Sequence, residues 1–144
     1  MNTIYIIRGL PGSGKSTISR TLASVVCEAD QFFIIDGEYV FDGNRLAEAH
    51  ADCQARTAAA IAHGDVAVAN TFTMGWEVAP YVKIAREANA RFVVVDVFDG
   101  GCDDATLASR NAHGVPKETI EKMRERYESL NMTILSAQYR LPQT

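Results

Sequence analysis

Apolar positions along the chain fall into short continuous runs that alternate with stretches of three-to-four-residue spacing, the pattern of strands alternating with helices. Thr3 to Arg8 (TIYIIR) is a β-branched and aromatic run stopped by Gly9, which predicts a buried strand opening into a glycine-rich turn. Lys15 to about Ala23 suits a helix, with Ile18 and Leu22 four residues apart on one face. Val25 to Ala29 reads as a second strand. Residues 30 to 43 mix aromatics, acids and two glycines without a period, and are expected to form a surface loop that can touch ligand.

A second helix follows, capped by Asp42 or Asn44, with Leu46, Ala49, His50, Cys53, Ala60 and Ile61 recurring at helical spacing until His63-Gly64 stops it. Asp65 to Asn70 (DVAVAN) predicts a third strand. Gly75 to Asn89 carries Val78, Val82, Ala85 and Ala88 at helical spacing, with Pro80 expected near the first turn, where proline is tolerated. Arg91 to Phe98 (RFVVVDVF) is almost continuously apolar, which predicts a parallel strand covered on both faces and placed centrally. Asp103 to Ala112 and Pro116 to Leu130 are two further helical segments split by His113-Gly114-Val115, the second with a stripe of Ile120, Met123, Tyr127 and Leu130. The tail after Asn131 is ambiguous.

This alternation predicts an α/β fold: three layers, a central parallel sheet of four to five strands, and helices on both faces joined by right-handed crossovers. In such folds ligands bind at the carboxyl ends of the strands. With 144 residues, 47% of them apolar, the chain is expected to form one domain over residues 1–144 with its own core. The cysteines Cys27, Cys53 and Cys102 are an odd number without a CxxC pair, which suggests neither a disulfide framework nor zinc and fits a cytoplasmic setting. No run reaches the length of a membrane span, and Met1 to Gly9 leads straight into a motif rather than a leader. The net charge of −4 is spread evenly, five basic and eight acidic groups in residues 1–72 against nine and ten in residues 73–144, so no basic face of the kind that coats nucleic acid is expected.

Gly9-Leu-Pro-Gly-Ser-Gly-Lys15-Ser16 fits GxxxxGK[ST] in full, after a predicted strand and opening a predicted helix. Chance would produce that pattern in about one chain of this length in 200, before its context is required, so a ligand-free turn is a poor alternative. Gly12 and Gly14 let the backbone wrap around a polyphosphate, with N–H groups and the helix's positive end directed at its oxygens. Lys15 is expected to reach the β and γ phosphates, and Ser16 to place its hydroxyl on Mg²⁺. The expected nucleotide-contacting set is Gly9, Leu10, Pro11, Gly12, Ser13, Gly14, Lys15, Ser16 and Thr17, with Pro11 stiffening the loop and Thr17 otherwise an ordinary helix position.

A GTPase of the switch type would need a base-reading NKxD motif, which is absent, and the third strand ends in Ala69-Asn70-Thr71, without a Walker B acid. Asp30, at the end of VVCEAD, can take a proton from an acceptor hydroxyl near the γ-phosphate and hold Mg²⁺ through water. Capping a turn is the plainer alternative for it. Asn70 and Thr71 should face the site, to orient an acceptor or a metal-bound water, although a turn role serves them nearly as well. Phe32, Phe33, Tyr39 and Phe41 can stack an acceptor base or simply pack their loop. Asp36 and His113 are further groups able to assist, and a histidine in a turn is more often structural.

These residues resemble the small P-loop kinases related to polynucleotide kinase, and among them the NEDD4-binding-protein-2-like ATPase domains and phage kinases of 5-hydroxymethyluracil in DNA. The resemblance covers nearly the whole chain. It rests on RGLPGSGKST (8–17), EAD (28–30), Tyr39-Val-Phe41, Ala49-His50, NTFT (70–73) with Trp76-Glu77 and Pro80-Tyr81, and RNAHGVP (110–116). It implies ATP and Mg²⁺ as cofactors, Lys15 and Ser16 on phosphate and metal, Asp30 as base, and Arg110 in a lid over about residues 103–116 that closes on the γ-phosphate. The phage members imply a hydroxymethyl group in DNA as acceptor and the host cytoplasm as setting; a base inside duplex DNA would have to flip out to reach Asp30. The larger polynucleotide kinases carry a second domain and a basic extension, neither of which is expected in residues 1–144, and that departure puts end repair in doubt. A 5′-hydroxyl polynucleotide kinase, a small-molecule kinase and a slow regulatory ATPase are the other readings, and the acceptor, the choice of ATP or GTP and the oligomeric state stay open.

Overall fold

A computed structural model describes residues 1–130, and the predicted ambiguity of the tail lies outside them. The strands are β1 (Thr3–Gly9), β2 (Val25–Cys27), β3 (Ile34–Ile35), β4 (Glu38–Tyr39), β5 (Val66–Asn70) and β6 (Arg91–Phe98). The helices are α1 (Lys15–Leu22), α2 (Leu46–Ala60), α3 (Gly75–Glu87), α4 (Asp104–Arg110) and α5 (Lys117–Arg126). Four strands form one parallel sheet in the order β2-β5-β1-β6, while β3 and β4 make a separate antiparallel pair.

Alternation along the inner strands divides the core into two layers. Ile4, Ile6, Val66 and Val68 point to one side and meet Ala49 and Cys53 of α2 and Val78, Tyr81, Val82 and Ala85 of α3. Ile7, Ala67 and Ala69 point to the other, where Ile18 and Leu22 of α1 lie with Val95 and Val97. A third cluster, Leu10, Leu107 and Ile120, fastens α4 and α5 to the glycine-rich loop after β1. Both faces are therefore covered by helices, as the sequence predicts.

Five features differ from the sequence reading, the first being that α5 ends at Arg126, with Tyr127 extended, short of the predicted Leu130. Among the described residues β6 pairs only with β1 and stands at the sheet's edge, so its expected central place is corrected. The second strand stops at Cys27, and Ala29–Phe33 turns into a 3₁₀ helix, which places Asp30 in that turn rather than on the strand. Residues 34–39 are not an aperiodic loop but a hairpin whose two-residue turn, Asp36 (φ 51°) and Gly37 (φ 82°), has the paired positive angles such a turn requires. Pro80 is the sixth residue of α3, in its second turn. The expected cap does appear one element early: Asp42 accepts from Asn44 N (3.0 Å) at a short 3₁₀ turn that runs directly into α2.

Candidate active site

The loop after β1 is shaped by close approaches that only glycine permits. A Cβ on Gly12 (φ 81°) would come within 2.6 Å of Leu107 O in α4, and Gly100, across the loop, lies so close that its Cβ would meet Ser13 O at 2.5 Å. Leu10 N donates to Phe98 O (2.7 Å), tying the loop to the end of β6. Gly14, left-handed at φ 101°, begins α1 with no side-chain cap and no acid in the first turn, so the helix's positive end opens into the loop. Ser13 is buried under it, and Thr17 is exposed on α1.

Lys15 lies across this loop, its Nζ donating to Leu10 O at 3.0 Å. Burial lowers it to about 8, against the attraction of Glu28 and Asp30, which raises it. A cation held partly out of water and bonded to a carbonyl is matched by a polyphosphate, as are the backbone amides around it. Ser16 donates its hydroxyl to Glu28 Oε1 at 2.7 Å. A hydroxyl and a carboxylate are the hard oxygen donors that Mg²⁺ takes beside phosphate oxygens, so the residues present fit both groups. Among the described residues no cluster of three or more His, Cys, Asp or Glu side chains could hold a metal alone.

Asp30, like Glu28, lies close enough to Lys15 to act on its charge. Its Oδ1 accepts from Tyr39 OH (3.1 Å) and its Oδ2 lies 3.4 Å from His113 Nε2. Burial, and then the neighbouring Asp30 charge, push the Tyr39 hydroxyl up to about 12, so it remains a donor at neutral pH. The Tyr39 and His113 rings are 4.4 Å apart, and Tyr39 stacks at 6.4 Å on Phe41, which is exposed. His113 arrives from the turn between α4 and α5. Asn111 clasps that turn: its Nδ2 donates to Leu107 O, Ala108 O and Val115 O, and its Oδ1 accepts from Val115 N (2.8 Å).

The structure thus brings together Lys15, Ser16, Asp30, Tyr39 and His113. Others predicted for the site sit elsewhere. Asn70 is buried, its Oδ1 accepting from Ala29 N (2.9 Å) and its Nδ2 reaching Cys53 Sγ (3.8 Å), so it pins the Asp30 turn instead of facing an acceptor. Thr71 follows it, half-buried. Phe33 is 2% exposed and supports the aromatic surface from beneath. Asp36 belongs to the hairpin turn. Arg110 ends α4, exposed, with Nη1 on Cys102 Sγ (3.2 Å), beside the loop but not on Asp30.

Two residues escaped sequence reasoning. Glu28 belongs to the EAD block but takes no role in the sequence reading, because it reaches Ser16 only through tertiary placement. Arg8 is completely buried: Nε and Nη2 donate to Phe72 O (3.0 and 2.8 Å), Nη1 to Asp96 Oδ2 (2.9 Å), and its guanidinium covers the Tyr127 ring at 4.0 Å. It joins the ends of β5 and β6 behind the loop.

The chain is similar to proteins already known. NEDD4-binding protein 2 of Homo sapiens is 37% identical over 134 residues, covering 87% of this chain, which spans only 8% of that protein's length. A chain of the Pnkp1/Rnl/Hen1 RNA repair complex shares the fold at a TM-score of 0.66 and 19% identity, over 88% of this chain and 44% of that one. A gluconokinase from Sinorhizobium meliloti 1021 does so at 0.53 and 19%, over 89% and 75%. No described helix is long and apolar enough to cross a membrane. The P-loop fold implies nucleotide binding, and because residues 4–130 match the AAA_33 family model, an AAA domain, the chain belongs to that family.

Proposed function

We propose that residues 1–144 form a single P-loop kinase domain that uses ATP and Mg²⁺ to phosphorylate a hydroxyl group on nucleic acid, with the hydroxymethyl group of 5-hydroxymethyluracil in phage DNA as best fit. The observation that carries this reading is the place of Asp30, which bears on Lys15 electrostatically on one side and contacts the Tyr39–His113 ring pair on the other. A base between a phosphate loop and an aromatic surface is poised for transfer to a planar acceptor. Asp30 takes the proton as the acceptor oxygen bonds the γ phosphorus and the bond to ADP breaks. Lys15 and the loop amides hold the phosphates, Ser16 would hold Mg²⁺, which would supply positive charge to offset theirs, and Arg110 swings from Cys102 toward the γ-phosphate as residues 103–116 close. The acceptor choice rests on the family resemblance and the exposed aromatics.

The test uses γ-labelled ATP with three acceptors: a 5′-hydroxyl oligonucleotide, end-blocked DNA containing 5-hydroxymethyluracil, and the same DNA containing thymine. Label on the hydroxymethyluracil DNA alone is expected. Label on the free-ended oligonucleotide alone would make the protein an end kinase, and label on none would turn the search to small molecules.

Lys15 supplies a second prediction. In the free protein its pKa of about 8 leaves half of the side chains neutral at that pH. A bound polyphosphate favours the cation, so binding should take up about 0.5 proton per nucleotide at pH 8 and about 0.1 at pH 7. Affinity should therefore weaken as pH rises past this value, by up to about tenfold per unit. Calorimetric titration with ADP in two buffers of different ionisation heat measures the uptake; identical heats at pH 8 would show that Lys15 is already charged.

A further inference from the structure

We infer that Glu28 is the carboxylate that holds the nucleotide-bound Mg²⁺ with Ser16, leaving Asp30 to the acceptor alone. This rests on the nucleotide-binding part of the reading above and divides between two residues the two tasks that the sequence assigns to Asp30.

The argument begins with which carboxylates at the sheet's carboxyl edge are already engaged. Asp96 accepts from Arg8 and from Tyr127 OH (2.7 Å). Asp99 is held by Arg124 Nη1 (2.8 Å) and by Gly101 N (2.8 Å). Asp30 has one oxygen on Tyr39 and the other on His113. The end of β5, where a Walker B acid would stand, offers Ala69 and Asn70. Glu28 is the acid whose side chain meets the P-loop hydroxyl itself, in an exposed contact that solvent ions can enter.

Its geometry suits the ion. Neighbouring oxygen ligands of octahedral Mg²⁺, each at 2.0–2.1 Å, lie about 3 Å apart. Ser16 Oγ and Glu28 Oε1 are 2.7 Å apart, so a small outward movement of either accommodates the ion. The carboxylate's backbone is fixed beforehand: Glu28 N donates to Gln31 Oε1 (3.1 Å), Glu28 O accepts from Arg56 Nη2 (2.9 Å), and Asn70 holds Ala29 N (2.9 Å). One carboxylate and one hydroxyl are too few to bind Mg²⁺ well without phosphate oxygens, so metal affinity should depend on nucleotide.

The test is Mn²⁺ titration followed by the electron paramagnetic resonance of the free ion, with ADP present and absent. In wild type, ADP should create a Mn²⁺ site. Glu28→Gln should weaken that site about 10–100-fold, far more than it changes ADP affinity in EDTA at a pH low enough to keep Lys15 charged, and Glu28→Asp should restore part of it. Asp30→Asn should leave the site intact. A Glu28→Gln protein that binds Mn²⁺ with ADP as wild type does, or transfer of the loss to Asp30→Asn, overturns the assignment. Failure of wild type to bind ADP at all would sink the nucleotide reading and this assignment with it, and that result is distinct from either variant's.

Discussion

Replacing Asp30 by Asn should lower the rate of phosphoryl transfer by about 10²–10⁴, the usual contribution of a positioned general base, while nucleotide affinity, measured where Lys15 stays charged, changes far less. Asparagine keeps the shape and can still accept from Tyr39 OH, which presently bonds Oδ1 at 3.1 Å. It loses the charge and the ability to take a proton. The loss should therefore appear in kcat and persist at saturating acceptor, since an interaction made in the transition state is removed rather than uniform binding. Single-turnover transfer, with ADP binding measured in parallel, separates the possibilities. Activity within about tenfold of wild type would mean that Asp30 only anchors the Tyr39 and His113 rings that its two oxygens contact.

How much of this was legible beforehand depends on whether the determinant is local. The phosphate loop is legible because its glycines and lysine act through the backbone of their own segment, and Gly12 and Gly14 take the left-handed angles that such a loop needs. The Asp36-Gly37 hairpin is equally local, since Asp-Gly between apolar residues is a strong turn signal, but the mixed aromatics and acids around it hide the strand period. The edge position of β6 is a different matter. Its apolar run reports truthfully that both faces are covered, since Phe92 and Val94 join one core layer and Val95 and Val97 the other. Side-chain pattern carries no information about which neighbours share a strand's hydrogen bonds, so coverage of the faces was mistaken for a central place. Asn111 is legible only as part of a motif. Its function, two N–H donors shared among three carbonyls and one bond accepted, becomes visible once the chain returns to it four residues later. Glu28 and Arg8 were missed because their partners, Ser16 and Phe72, are brought in by the sheet.

Arg8→Met should be the most destabilising of these changes, by about 3–5 kcal/mol, the sum of a buried acceptor left unpaired and a strained backbone left unsupported. The guanidinium is fully buried, whereas its ion-pair partner Asp96 is 43% exposed, so water can replace Arg8 at the carboxylate. The greater loss lies at Phe72 O. That carbonyl takes two of the guanidinium's bonds, and Phe72 is itself left-handed (φ 46°) and only 2% exposed. A bulky residue in that region is strained, and it persists only where its surroundings hold it. Methionine fills comparable volume but donates nothing, so the carbonyl is left buried and unpaired and the strain unsupported. Lysine should recover only part of the loss, since a single ammonium cannot reproduce a fork that reaches Phe72, Thr73 and Asp96 together. For a domain of this size the methionine variant should melt roughly 10–20 °C below wild type in a thermal scan, with lysine between. A fall of less than about 3 °C would show that the β5 end holds Phe72 without Arg8, and that the buried arginine serves the loop's electrostatics rather than its support.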